Sequence, residues 1–369
     1  MKKNNTSRQS SKRGQKTRAR SITIGLDLGD KSSRYCVLDN DGAMVLERTV
    51  GSTKKALTQV FGRMRRCRIA MEVGTHSPWV SRLLGGFGHE VIVANPRQLK
   101  LISSSSRKSD RVDAQMLARL VRIDPELLRP IRHRSAEAQA DLLVIRVREA
   151  LVKTRTGLVN TARGLAKASG ERLPKCDADQ LGVERMQSLP AWLRERLRPL
   201  LEEIESLTKK IKESDVEIEQ IGRNKYPEIA LLKQVWGVGT LIALTFVLTI
   251  EDKDRFEKSR DVGCYVGLRP KRSESGERQP QLGITKEGDV YLRKLLVQGA
   301  HGVLRRNGPD TDLKRWGLRL AGTSKNAKKR AIMAVARKLA VLLHRLWVTA
   351  EVYEPLRNSE LRERQQAAA

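Results

Sequence analysis

The chain has 369 residues, with 72 Lys plus Arg against 42 Asp plus Glu and a formal charge of +30 at pH 7. That length supports two or three domains rather than one, and cations spread along the whole chain call for a polyanionic partner, nucleic acid first. The longest apolar stretch, Leu241 to Ile250, is about half the length of roughly 18 residues that a spanning helix needs, so no membrane is expected.

The first twenty residues carry eight Lys or Arg and no acid, and they lack the apolar core and cleavage site of a secretory signal. They read as a disordered basic arm that touches nucleic acid. From residue 21 strand signals follow. Ile22 to Leu28, Ser33 to Leu38 and Met44 to Val50, with a turn at Asn40–Gly42, form an antiparallel meander. A helix over Thr53–Met64 leads to a buried strand, Arg68–Val73, then a helix over Trp79–Gly85 and a strand, Glu90–Ala94. A meander followed by alternating helix and strand is the element order of a ribonuclease-H-like domain, here residues 21–130, with its later strands parallel.

Residues 131–225 read as long helices. Val144, Leu151, Leu158 and Leu165 recur every seven residues, and after a break at Gly170–Pro190 a second seam interleaves Leu197, Ile204, Ile211 and Ile218 with Leu200, Leu207, Ser214 and Ile221. Two readings stay open: helices paired within one chain, or a coiled coil that builds a dimer or tetramer. Residues 226–355 have room for a small, mainly helical domain, and 356–369 form a tail. The expected fold class is therefore α/β plus α.

Four acids stand out against the basic background. Asp27 sits in a strand between Gly25 and Gly29, which reads as an uncrowded groove where phosphate can approach the backbone. Glu72 lies in the apolar strand Ile69–Val73, and Asp110 and Asp113 stand three apart at a predicted helix start, on one side of that helix. Singly, each has a plain explanation, a solvated strand end or a helix N-terminus that favours acids. Together they occupy the places where the expected fold gathers its acids, which points to a Mg²⁺ or Mn²⁺ site for phosphodiester chemistry.

Cys36, Cys67, Cys176 and Cys264 lie far apart with no C-x-x-C pair and no His at zinc spacing, so neither disulfides nor zinc are expected and a reducing cytoplasm fits. His76, His89, His133, His301 and His344 form no ligand pair by spacing and are assigned no role.

Toward the C-terminus, Val235–Thr240 places a G-x-G turn between two helical stretches, as either a helix-hairpin-helix phosphate loop or a packing turn. Four close-set blocks follow: Tyr265–Pro270, Ser273–Gly276, Gly283–Gly288 and Tyr291–Leu296. With Asp110–Ala114, these blocks resemble the DEDD-type insertion-sequence transposases, the bridge-RNA-guided recombinases, over essentially Ile22 to Pro355.

The resemblance implies a RuvC-like domain that carries Asp27, Glu72, Asp110 and Asp113, a coiled-coil linker, and a C-terminal transposase domain whose serine attacks DNA. The family's serine lies just before a Gly between the first block, Tyr265–Pro270, and the third, Gly283–Gly288, which points to Ser275, with Ser273 as rival. Where many relatives have two adjacent serines, this chain has Glu274 and Ser275. The resemblance further implies a covalent serine–DNA intermediate, strand exchange without external energy, and a structured guide RNA that pairs with both DNA sites. A nucleoid-associated enzyme of the bacterial cytoplasm would fit.

Arg278, Lys286 and Arg293 are candidates for stabilising charge near the serine. Arg305, Arg306, Lys328, Lys329 and Arg330 are candidates for backbone contact, with a solvated helix face as the alternative. Five Trp, five Tyr and four Phe leave little for extensive base stacking. Three competing readings remain. A junction-resolving nuclease explains the acids but leaves Ser275 idle. An actin-like ATPase explains Gly25–Gly29 but not the charge. A non-catalytic DNA binder leaves the acids structural.

Overall fold

A computed structural model of the chain describes residues 22–95, 110–273 and 282–359. Described residues up to Arg134 form one compact unit and those from Ser135 onward a second.

The first unit is built on β1 (Thr23–Asp27), β2 (Ser32–Leu38), β3 (Met44–Gly51), β4 (Arg68–Glu72) and β5 (Glu90–Ala94). Their order in the sheet is β3-β2-β1-β4-β5. β2 runs antiparallel to β1 and β3, whereas β4 is parallel to β1 and β5 parallel to β4. The expected meander and crossovers are both present. The β2–β3 turn closes because the Asp39 carboxylate accepts from the amides of Asp41 and Ala43, each at 2.9 Å, while Gly42 takes φ 84°.

Strand alternation divides the apolar residues between two faces. Ile24, Leu26, Ile69 and Met71 form one core with Leu57 and Phe61 of helix α1 (Lys54–Phe61) and with Val80 and Leu84 of α2 (Ser77–Gly86). Each such fully buried side chain contributes about 1.5–3 kcal/mol. The opposite face is floored by small residues, Gly25, Ala70 and Ala94, and is covered by α3 (Asp110–Ile123) through Ala114, Leu117, Ala118 and Val121.

The second unit opens with two long helices, α4 (Ala136–Ala168) and α5 (Ala191–Lys225), which pair antiparallel within the chain. Rungs along the pair are Lys225 on Asp141 at 2.9 Å, Arg148 on Asp215, and the Arg155 guanidinium donating to Thr208 at 3.1 Å. Leu197, Ile204, Ile211 and Ile218 are all buried in the single chain. On α4 the covered residues are Ala138, Leu142, Ile145, Val159, Ala162 and Ala166, while Leu165 of the seven-residue series is exposed. Small alanines let the helices approach where α5 supplies the bulk.

The apolar stretch noted in the sequence is α6 (Thr240–Ile250), in which every residue but Leu241 is buried. It is the central helix of a core completed by α7 (Val290–Val303) and α9 (Lys325–Thr349), with α8 (Asp312–Ala321) beside α9. Among the described residues no helix is long and apolar enough to cross a membrane.

Candidate active site

In the first unit Asp27 and Glu72 stand at the carboxyl ends of two neighbouring parallel strands. Leu26 pairs with Met71, so the next step in register sets Asp27 of β1 beside Glu72 of β4. Both lie two residues beyond small residues that face α3, Gly25 and Ala70, and therefore share that face. Helix α3 runs back along β1. Its Ala114 and Ala118 sit on Gly25, and the Val121 carbonyl accepts from Arg68 at the opposite end of β4, 3.4 Å away. The amino end of α3 is thus delivered to the end of the sheet that carries Asp27 and Glu72, and Asp113 there is only 8% exposed.

The fit of α3 explains Gly25 in a way the sequence did not. A Cβ on Gly25 would stand 2.0 Å from the Ala114 carbonyl oxygen and 2.5 Å from the Ala118 nitrogen. Gly25 makes room for a helix, not for a phosphate. Gly29 likewise answers to its own turn, where a Cβ would lie 2.2 Å from the Ser32 carbonyl oxygen.

Asp110 is the first residue of α3, one turn ahead of Asp113. Among the described residues no three of His, Cys, Asp or Glu come close enough to hold a metal ion. Carboxylate oxygens are nevertheless the donors that Mg²⁺ and Mn²⁺ prefer.

His76, assigned no role from its spacing, also belongs to this end of the sheet. Its Nε2 lies 3.4 Å from Asp30 in the loop after β1, and its Nδ1 accepts from the Trp79 indole at 3.1 Å. His89 and Cys67 are structural. The imidazole contacts the Phe61 carbonyl at 2.9 Å and the Cys67 thiol at 3.3 Å, and burial pushes that thiol up to about 11.

In the second unit three of the four C-terminal blocks converge. The chain from Gly267 to Lys271 pairs with the chain from Gly283 to Lys286 through Lys271 N to Gly283 O at 2.9 Å, Thr285 N to Arg269 O at 2.9 Å and Lys286 N to Gly267 O at 3.1 Å. Gly267 and Gly288 adopt φ 71° and 70°, and a Cβ on either would strike the opposite leg, Glu287 O at 2.1 Å or Tyr265 O at 2.0 Å. The Arg293 guanidinium, 9% exposed, joins the two legs by donating to Val266 O at 3.0 Å and Glu287 O at 2.6 Å. Asp289 caps α7 at the Leu292 amide and pairs with Arg146, whose guanidinium lies 5.3 Å from the centre of the Tyr291 ring. The legs are the two feet of residues 274–281, and both Ser275 and Arg278 lie outside the described residues.

Two family models of known transposases match the chain. A DEDD-type transposase model covers residues 24–168, and a model described as transposase of the IS116/IS110/IS902 family covers residues 229–314. The chain belongs to this transposase family. Similar proteins include the transposase for insertion sequence element IS1111A of Coxiella burnetii, 28% identical over 341 residues, spanning 89% of this chain and 90% of that protein. Another is the transposase for insertion sequence element IS1328 of Yersinia enterocolitica, 28% identical over 290 residues and spanning 77% and 84%.

The remaining cations of this transposase fall into two groups. Lys286, Arg305, Arg306, Lys328, Lys329 and Arg330 are exposed on the second unit. Arg293, counted in the sequence among cations expected near phosphate, is taken up by two carbonyls of its own chain. The rival serine, Ser273, is exposed at the last described position before residues 274–281. In the G-x-G turn, Gly237 has φ 86° and would place a Cβ 2.6 Å from the Gly299 carbonyl oxygen, so it seats the turn on α7. Gly239 has open space around its Cβ position and leads directly into α6.

Proposed function

We propose that this transposase cuts and rejoins DNA strands by a composite site, in which Asp27, Glu72, Asp110 and Asp113 hold divalent cations and Ser275 attacks phosphorus. The observation that supports it most is the register of β1 and β4, which sets two carboxylates side by side at the sheet end where the acid-bearing turn of α3 arrives. Mg²⁺ or Mn²⁺ bound by these acids would polarise the phosphate and offset developing charge.

Attack by the Ser275 oxygen forms a serine–phosphate ester as the bond to one deoxyribose oxygen breaks, and the hydroxyl proton ends on that leaving oxygen. A free DNA hydroxyl then reverses the exchange, so the number of phosphodiester-type bonds is conserved and no external energy is needed. The two feet braced by Arg293 would fix where the serine-bearing segment begins and ends. A guide RNA that pairs with both DNA sites fits a protein of net charge +30, which recognises backbone without needing to read bases. Assembly as a dimer or tetramer is part of the same reading.

The test is a denaturation-resistant protein–DNA adduct formed with Mg²⁺, the flanking RNA and both DNA sites. Ser275→Ala should abolish the adduct while DNA binding is retained, and Asp27→Ala should lower its yield on the order of 100-fold or more. An adduct that survives Ser275→Ala would overturn the serine assignment. Cleavage without any adduct in the parent protein would favour the junction-nuclease reading, with water as nucleophile.

A further inference from the structure

Helices α8 and α9 and the chain from Tyr353 to Ser359 enclose a groove of about 430 Å³ that neither the carboxylates nor the serine-bearing blocks use. Five cations and two acids line it. Most of that charge is already matched. Arg315 is held by Asp310 at 2.6 Å, and Arg345 and Arg357 both reach Glu351, at 3.2 and 2.8 Å. Asp312 is engaged by the Asn358 amide and the Ser359 hydroxyl.

Lys338 and Arg319 are different. Among the described residues neither takes part in an ion pair, yet both line the groove. Lys338 Nζ stands 3.9 Å above the centre of the Trp316 ring, one turn before Arg319 on α8. Burial first, and the Arg319 guanidinium second, hold the Lys338 ammonium below its usual range, with Asp312 acting in the other direction. Both cations are exposed at the wall of this groove, and like charges that share one wall repel each other less when an anion lies between them. An indole beneath the ammonium fixes its position without neutralising it.

We propose that this groove binds the phosphodiester backbone of nucleic acid, with Lys338 and Arg319 facing the phosphates and Trp316 holding Lys338 in place. A polyanion gains from the +30 charge of the whole chain as well as from this pair, which a single small anion does not. Binding is read here without strand cleavage, so the proposal stands or falls separately from the carboxylate and serine reading.

The experiment titrates the full chain against fluorescent oligonucleotides of one length and arbitrary sequence, as duplex DNA, single-stranded DNA and RNA, across a salt series. Arg319→Gln with Lys338→Gln should lower affinity on the order of tenfold at about 0.1 M salt. The same change should reduce the slope of log affinity against log salt by about 1.5–2. The control is Lys209→Gln with Lys212→Gln, an exposed pair on α5 that removes the same charge. Trp316→Leu, which keeps the charge, should weaken binding by part of the same amount while the protein still melts cooperatively. Loss confined to DNA or to RNA names the source of the phosphates, and equal loss on all three means the backbone they share. Bound oligonucleotide should also slow acetylation of Lys338 by a lysine-directed reagent. A double variant indistinguishable from the control pair on all three nucleic acids overturns the proposal, as does Lys338 acetylation that no oligonucleotide slows.

Discussion

Gly25 has no side chain and lies against backbone, so the first atom added there meets the Ala114 carbonyl oxygen at 2.0 Å. A carbonyl in the middle of a helix cannot swing aside as a flexible side chain would. Gly25→Ala should therefore cost about 1–3 kcal/mol or more in chemical denaturation, and Asp27→Asn, two residues on, far less. A Gly25→Ala protein as stable as the parent would show that α3 does not rest on β1 in this way. At this scale the sequence was informative about residue type and poor about its reason. Acids inside strands of a basic chain drew attention to Asp27 and Glu72, yet the glycine beside them answered to a helix ninety residues away. Arg293 reads from the sequence as a candidate for stabilising charge near the serine, and nothing local in the chain reveals the two carbonyls that take it up. His76 was assigned no role because its contact with Asp30, 46 residues back along the chain, is made only where the loop after β1 meets the start of α2.

The strands and helices of the first unit were legible almost throughout, since alternation and short apolar runs carry their own period. The long helices were legible in extent but ambiguous in partnership. Seven-residue spacing on α5 marks a buried stripe, and Ile204, Ile211 and Ile218 are indeed covered, but by α4 of the same chain. On α4 the large residues at 144, 151, 158 and 165 drew the eye, while alanines and Val159 make much of the contact. Small residues are weak signals in any periodicity count. Ile204→Ala should lower the unfolding free energy by about 2–5 kcal/mol, read in denaturant. A loss of mass by light scattering with stability unchanged would instead assign that residue to an interface between copies.

Acidity acts on the whole molecule through one histidine in each unit. His133, near Arg82 and Arg134, and His344, between Ser259 and the Lys253 carbonyl, are both held below the ordinary histidine value chiefly by burial. The unfolded chain takes up protons at these sites at a pH where the folded chain does not. Stability is accordingly full above about pH 6.5, the unfolded histidine value, and falls as the pH drops below it. Denaturant midpoints measured between pH 5 and 8 should show this decline, and His344→Gln should flatten part of it. Midpoints that rise on acidification would reverse the sign assigned to both groups.

The seat of α3 on β1 has a further consequence for the family's diversity. Where a helix rests on a strand with only hydrogens between them, the gap is fixed by atoms that cannot shrink, and the helix has one depth at which it can sit. Loops and surface charges can drift freely around such a joint, because the distance from strand acid to helix acid is gauged by the missing methyl, and not by anything the loops do. A lineage could replace most of the chain, as proteins 28% identical have done, and still keep that measure.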